Sequence, residues 1–324
     1  MSNLIACFFT LIHNTGDMIK KEIEDGELLE HLNKLPLDCR QVMLLADGQI
    51  RLTALGGTTM VNQMRANHNL GILETLVLGQ AFIASGLMAS SVKGNDRIRL
   101  SVECGGPIGN IYTEAWACGT VRGYLQNNPI KIDKPLESTD LSLLYGPGFI
   151  NVSRLLEGSR TPFTGQIMME YGDLAKDLAL YYSKSEQTPT MFSLGIHFDK
   201  KGRVMGAGGL FLQAMPGCSD KVLEELQETS ASLPSIGLAM SKGMEVKDYC
   251  IANFSRWGVQ DIAQLPLLFS CPCNRENYRA FLSSLPAQEK EDILKQNKWP
   301  LELECFNCST VYSYSEEEVR EAFR

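Results

Sequence analysis

Lysine and arginine never cluster in this 324-residue chain, and 30 basic against 38 acidic residues leave a formal net charge of -8. Binding a phosphate backbone needs a basic patch, so the charge balance argues against a generic nucleic-acid binder. Lys200, Lys201 and Arg203 read instead as the exposed tip of a hairpin. No uninterrupted run of 18 apolar residues occurs, so no membrane span is expected. The apolar opening 3–9 lacks a basic start, ends at His13-Asn14 and precedes no small-residue cleavage site, so no export signal is expected. A G-x-x-x-x-G-K-[ST] phosphate loop is missing, and ATP binding of that kind with it. The four histidines, His13, His31, His68 and His197, are scattered without an H-E-x-x-H. Gly206-Ala207-Gly208-Gly209-Leu210-Phe211 departs from a dinucleotide fingerprint at Phe211. It falls in a predicted strand, where glycines mark close packing or a bulge. Ser185-Glu186-Gln187-Thr188-Pro189 offers one carboxylate without a partner for acid–base work and reads as a helix-to-strand turn. No enzyme is expected.

What is present, 44% hydrophobic and 21% charged residues, suits a globular chain long enough for two or three domains. The predicted fold class is α+β. Residues 40–217 form a mixed α/β core with antiparallel sheets and packed helices, 218–268 a helical linker, and 269–324 a small cysteine module; 1–39 form an N-terminal segment to which no motif assigns a role. Within the core, Val42–Leu45 and Ile50–Thr53 flank the hairpin turn Ala46-Asp47-Gly48-Gln49. Thr58 or Thr59 caps a short helix, and 70–90 reads as one buried helix with Gly79, Ala81, Ala84 and Ser85 where it packs closely. Strands follow over 97–103, 111–116 and 120–125, then 166–171. A helix opens at Asp173, and a hairpin spans 190–213. The linker carries Val222, Leu223 and Leu226 at helical spacing but no strong core of its own. Ser315 and Glu318 match a capping box opening an acidic terminal helix.

Ten cysteines in a chain without an export signal point to a reducing cytoplasm, where they suggest metal or redox chemistry rather than permanent bridges. Cys7, Cys39, Cys104, Cys118, Cys218 and Cys250 show no paired spacing and read as small buried hydrophobes, with Cys250 a site of mispairing on oxidation. Cys271-Pro272-Cys273 and Cys305-Phe306-Asn307-Cys308 differ. Two close pairs, 31 residues apart and set among Asn274, Arg275, Asn307 and Ser309, supply the four thiolates of one closed tetrahedral Zn2+ site. Each pair can also close a short disulfide, Cys271–Cys273 or Cys305–Cys308. From spacing alone, a purely structural zinc site stands beside a redox-active one. A zinc ribbon docking a partner fits the same residues. A thiol–disulfide oxidoreductase using Cys271 and Cys273 fits less well, lacking a thioredoxin-like βαβ context.

Several segments resemble one family, the redox-regulated heat-shock chaperones (heat shock protein 33). They are Gly105-Gly106-Pro107-Ile108-Gly109-Asn110-Ile111, Val121-Arg122-Gly123-Tyr124, Pro162-Phe163-Thr164-Gly165-Gln166, Asp177-Leu178-Ala179-Leu180-Tyr181-Tyr182, Ser185-Glu186-Gln187-Thr188-Pro189 and Ala207-Gly208-Gly209-Leu210, followed by the cysteine pairs and the tail from Tyr312 to Glu318. The resemblance implies a cytoplasmic, ATP-independent holdase that acts in the stress response and is inactive while reduced and zinc-bound. Cys271, Cys273, Cys305 and Cys308 would be its zinc ligands. Oxidation would form disulfides Cys271–Cys273 and Cys305–Cys308, release zinc and unfold the module and linker. The activated form would dimerise and bind unfolding proteins. Leu223, Leu226, Leu233, Ile236, Leu238 and Met240 of the linker would offer apolar client-binding surface once unpacked.

Overall fold

The structure is a computed structural model describing residues 18–132 and 140–324; the apolar opening 3–9, with Cys7, lies outside the described residues. The chain runs α1 (Gly26–Leu32), β1 (Cys39–Leu45), β2 (Ile50–Gly56), α2 (Thr58–His68), α3 (Ile72–Met88), β3 (Arg97–Cys104), β4 (Asn110–Trp116) and β5 (Thr120–Leu125). It continues through α4 (Ser142–Tyr145), β6 (Gly148–Leu155), β7 (Phe163–Met168), α5 (Leu174–Ser185), β8 (Thr190–Phe198) and β9 (Val204–Ala214). Three helices follow, α6 (Asp220–Ala231), α7 (Ile236–Ser241) and α8 (Val246–Phe254), then β10 (Gln260–Pro266) and β11 (Leu268–Phe269). The end comprises α9 (Arg275–Ser284), α10 (Ala287–Gln296), β12 (Leu301–Glu304), β13 (Val311–Tyr314) and α11 (Glu316–Ala322).

Two sheets hold the core. One has the order β10-β1-β2-β9-β8, the other β11-β5-β4-β3-β6-β7; β12 and β13 form a separate pair. All pairings are antiparallel except β11 with β5. Helix α3 lies between the two sheets and packs on β4 and β5 on one side and on β8 and β9 on the other. The close approach depends on its small residues: a Cβ on Gly79 would sit 2.6 Å from Ile196 Cδ1, and one on Gly86 2.8 Å from Leu55 Cδ1. The stretch Ile72–Ser91 is in fact long and apolar enough to cross a membrane, which a search for unbroken apolar runs misses because Glu74 and several serines interrupt it. Its window is 78% buried inside the protein, so that apolarity serves the core.

The hairpins β1–β2 and β8–β9 and the meander β3–β5 lie where turn chemistry and alternation place them. Three local expectations need correction. Neither Thr58 nor Thr59 caps α2. Gly57 is the N-cap residue and makes no side-chain cap bond; Asp38 reaches in and accepts from the backbone N–H groups of Thr59 (3.2 Å) and Met60 (2.6 Å). The strand predicted at 166–171 lies at Phe163–Met168, and β6, unanticipated, joins it to β3. The predicted linker is helical only in part. Gln260–Pro266 is a strand, because β1 presents an open edge whose backbone groups need partners and β10 supplies them from Pro266 opposite Cys39 to Gln260 opposite Leu44.

Helices α6, α7 and α8 lie over the outer face of the five-stranded sheet. Leu226, Ile236, Met240, Tyr249 and Phe254 bury against Met43, Leu45, Leu52, Leu210 and Leu212. Contact between α7 and β9 is backbone to backbone: a Cβ on Gly206 would fall 2.1 Å from Gly237 O and 2.4 Å from Ser241 N. No rotamer relieves a clash with backbone. Gly206→Ala is therefore expected to push α7 off the sheet at a cost of about 1–3 kcal/mol, read as a lower urea midpoint and faster proteolysis within 218–241. An unchanged midpoint would mean that the helix is not seated this tightly.

Candidate metal centre

The two-residue strand β11 sets the first pair of cysteines. It lies parallel to β5, with Leu268 opposite Thr120 and Phe269 opposite Val121, and Ser270 N continues the ladder to Val121 O at 3.1 Å. Cys271 and Cys273 follow at once. Asn274 then caps α9, its side chain accepting from Asn277 N at 2.7 Å. The second pair sits in a tight turn between β12 and β13: Cys308 N and Ser309 N both donate to Cys305 O, and Cys305 N donates to Thr310 O. Ser309 adopts φ +52°, the left-handed conformation that reverses the chain there.

These turns bring Cys271, Cys273, Cys305 and Cys308 together, all buried, with their sulfurs within 4.8 Å of one another. Cys273 and Cys308 Sγ are 3.4 Å apart, Cys271 and Cys305 Sγ 3.8 Å. Four sulfurs held tetrahedrally at about 2.3 Å from a zinc ion would lie about 3.8 Å apart, so the donor set and its spacing fit such an ion. All nine described cysteines are free thiols. Hydrogen bonding within the cluster divides the protons. A bond with Cys273 holds the Cys271 thiol down to about 7, and a bond with Cys271 lowers Cys305; the same contacts with Cys271 raise Cys273 and Cys308. Tyr312 Oη donates to Cys273 Sγ at 3.2 Å, and Cys308 Sγ lies 3.2 Å from Thr310 Oγ1.

The polar neighbours in sequence divide into two groups. Asn274 and Arg275 serve the module itself, Arg275 pairing with Glu318 at 2.7 Å and lying over the Tyr314 ring. Asn307 and Ser309 face the core, where Gly123 N donates to Asn307 O at 3.3 Å and Ser309 Oγ meets His68 Nδ1 at 3.0 Å. Asn67 Nδ2 donates to Cys308 O at 2.9 Å. Burial pushes the His68 imidazole down to about 4, so it meets the cysteine turn as a neutral ring. The predicted capping box of α11 is present in full, with Ser315 and Glu318 bonded reciprocally.

Sequence reasoning missed the residues that reach the thiols from the core. Arg122, noticed only as part of a family motif, donates from Nη1 to Cys271 Sγ at 3.4 Å. Behind it Glu114, with a side chain only 1% exposed, accepts from Arg122 and Arg99 at 2.6 and 2.9 Å. Burial pushes the Glu114 carboxyl up, but these guanidiniums more than offset it and hold it below its ordinary value. The one usable signal was the strict alternation of Arg97 and Arg99 with apolar residues, which aligns both guanidiniums on one face.

An α+β body with a layer of helices over one sheet, and four buried thiols gathered beside β5 of the other, defines a protein with a cysteine cluster that could hold a metal ion. A family model described as Hsp33 protein matches residues 38–315. The chain belongs to that family. It is 31% identical over 276 residues to the 33 kDa chaperonin of Desulforamulus reducens, covering 85% of this chain and 93% of that protein. It is 30% identical over 320 residues to the 33 kDa chaperonin of Aquifex aeolicus, covering 96% and 95%. The crystal structure of the 33 kDa chaperonin (heat shock protein 33 homolog) of Thermotoga maritima matches with a TM-score of 0.78 at 30% identity, over 89% of this chain and 98% of that one.

Proposed function

We propose that this chain is a cytoplasmic, ATP-independent holdase chaperone whose client binding is switched on by oxidation of Cys271, Cys273, Cys305 and Cys308. Membership of a family whose relatives are named chaperonins supports the chaperone. The observation that carries the switch is a continuity in the chain. The thiols rest on β5 of one sheet, and the segment leading to them covers an apolar face of the other. Bound Zn2+ would keep all four sulfurs as thiolates and tie the two cysteine turns together. Peroxide would take two electrons from each pair: two thiolates become one disulfide, Cys271–Cys273 or Cys305–Cys308, and each peroxide, with two protons from solvent, leaves as two waters. A disulfide brings its sulfurs to about 2.05 Å, which no tetrahedral ligand set allows, so the metal is lost with the bond.

The divisions 40–217, 218–268 and 269–324 are then units of unfolding. Release of the module frees β11 from β5 and leaves β10, exposed over most of its length, held by its ladder with β1. With α6–α8 lifted, Leu226, Ile236 and Met240 and the sheet face beneath them become surface for unfolding clients and for a second copy in an activated homodimer. The test is light scattering of a heat-unfolding client with the protein either reduced and zinc-loaded or pre-oxidised with peroxide at elevated temperature. Suppression by the oxidised form alone is expected. Equal suppression by both would make this a constitutive binder with structural zinc, and suppression by neither would favour a zinc module that docks a partner.

A further inference from the structure

The cluster that reaches the thiols from the core has more positive than negative charge, with Glu114 1% exposed, Arg122 18%, and Arg97 and Arg99 36% and 34%. Arg97, Arg99 and Arg122 surround the single carboxylate of Glu114. Arg97 and Arg99 reach solvent, whereas Arg122 is the most buried of the three cations, and a buried cation needs anionic partners to offset its desolvation. Of the three, Arg122 meets the thiol site, which carries net negative charge when four thiolates share one divalent ion. Arg122 is the residue that spans the two. Its Nε and Nη2 donate to Glu114 Oε2 at 3.0 and 2.6 Å, its plane lies over Trp116 at 5.1 Å, and its remaining Nη1 points at Cys271 Sγ. Three contacts fix the fork before any metal arrives. The same strand receives backbone from both cysteine turns, Ser270 N on Val121 O and Asn307 O on Gly123 N. The guanidinium therefore meets the sulfur on a platform that both turns already occupy.

Resting on the reading that the four thiols hold a metal, we propose that Arg122 is a positioning residue for the metal thiolates, donating a charge-assisted hydrogen bond to Cys271 Sγ that slows loss of the ion from the reduced protein. A hydrogen bond from a cation stabilises the charge on a thiolate, so the sulfur is a weaker nucleophile towards peroxide, is harder to protonate off the metal, and transfers charge to the metal only at higher energy. Glu114 acts through Arg122, holding its fork in place, and the core thereby sets how readily the switch is thrown.

The probe is Co2+ in the full-length reduced chain, whose sulfur-to-cobalt charge-transfer absorption reports hydrogen bonding to the thiolates directly. Arg122→Met is expected to move that band to lower energy and to speed transfer of the ion to a chelator by about tenfold. Arg122→Lys keeps the charge without the fork that spans Glu114 and Cys271 and is expected to fall between the two; it also gives the reading if Arg122→Met does not fold. A merely structural role would lower the melting temperature and leave the band where it is. An unchanged band and an unchanged rate of metal loss in a folded variant would overturn the proposal. Failure of the wild-type chain to bind Co2+ at all would overturn the reading of the thiols themselves, and the proposal with it.

Discussion

Chelating the metal from the reduced protein is expected to unfold residues 271–324 while the two-sheet core stays folded. The reason is how little apolar surface the module buries for itself. Helix α10 has no buried residue, and α9 buries only Leu282. Beyond the cysteines, the module's buried hydrophobic residues are Leu282, Tyr312, Tyr314, Val319 and Ala322. Units of this size rarely stand on packing alone, and structural zinc contributes about 10–16 kcal/mol of apparent binding free energy near neutral pH, more than such a core supplies. Cys308→Ser should act as chelation does, since it removes one ligand and the 3.4 Å partner of Cys273. Cys118→Ser, outside the cluster, should not. Amide hydrogen exchange distinguishes the outcomes: protection should vanish from α9, α10, α11 and the β12–β13 pair and persist in α3 and β9. Retained protection in the module after metal removal would show that its packing suffices and would break the link between metal loss and release of the linker.

Phe254→Ala is expected to make the reduced, metal-loaded protein hold clients without any oxidant. Phe254 is fully buried in α8, in the cluster that joins α6–α8 to the outer face of the five-stranded sheet, with its ring 6.0 Å from that of Trp257. Truncating a buried phenylalanine costs about 3–5 kcal/mol. That loss falls on the docked state of the linker, because the larger cluster around α3, which holds the two sheets together, does not include Phe254. At about 1.4 kcal/mol per decade, the undocked population should rise on the order of a hundredfold or more. Ile251→Ala, on the same helix but 44% exposed, is the control and should leave the docked state in place. Client light scattering and limited proteolysis within 218–257 read the result. If Phe254→Ala lowers the melting temperature of the whole chain but suppresses no aggregation, the surface beneath the linker is not where clients bind.

Much of the fold could be read before any coordinates because its signals are local. A turn such as Ala46-Asp47-Gly48-Gln49 and the alternation on either side act within about ten residues and produce β1–β2 wherever that segment lies. The same holds for β8–β9, for the caps at Asp173 and Ser315, and for the apolar run that becomes α3. The cysteine site was legible for a related reason: two short spacings of one metal-binding residue type carry their chemistry with them. The glycines at 206–209 read from the sequence as close packing or a bulge; at Gly206 it is close packing, against Gly237 O, a partner no local signal names.

What the sequence alone determined is therefore the local hairpins, the meander β3–β5, helix α3 and the identity of the four thiols. Tertiary structure decided where each element found a partner. Nothing near Gln260–Pro266 says that β1, 220 residues away, has an open edge, and a strand forms there because unpaired backbone at that edge is costly. Nothing near Arg122 says that Cys271 will lie 3.4 Å away across 149 residues of chain. That meeting requires β11 to settle on β5, and so depends on which sheet edge is left free once α3 and both sheets have packed. Periodicity and turn chemistry act over a few residues, whereas edges, faces and unmatched charges exist only after the chain has closed on itself.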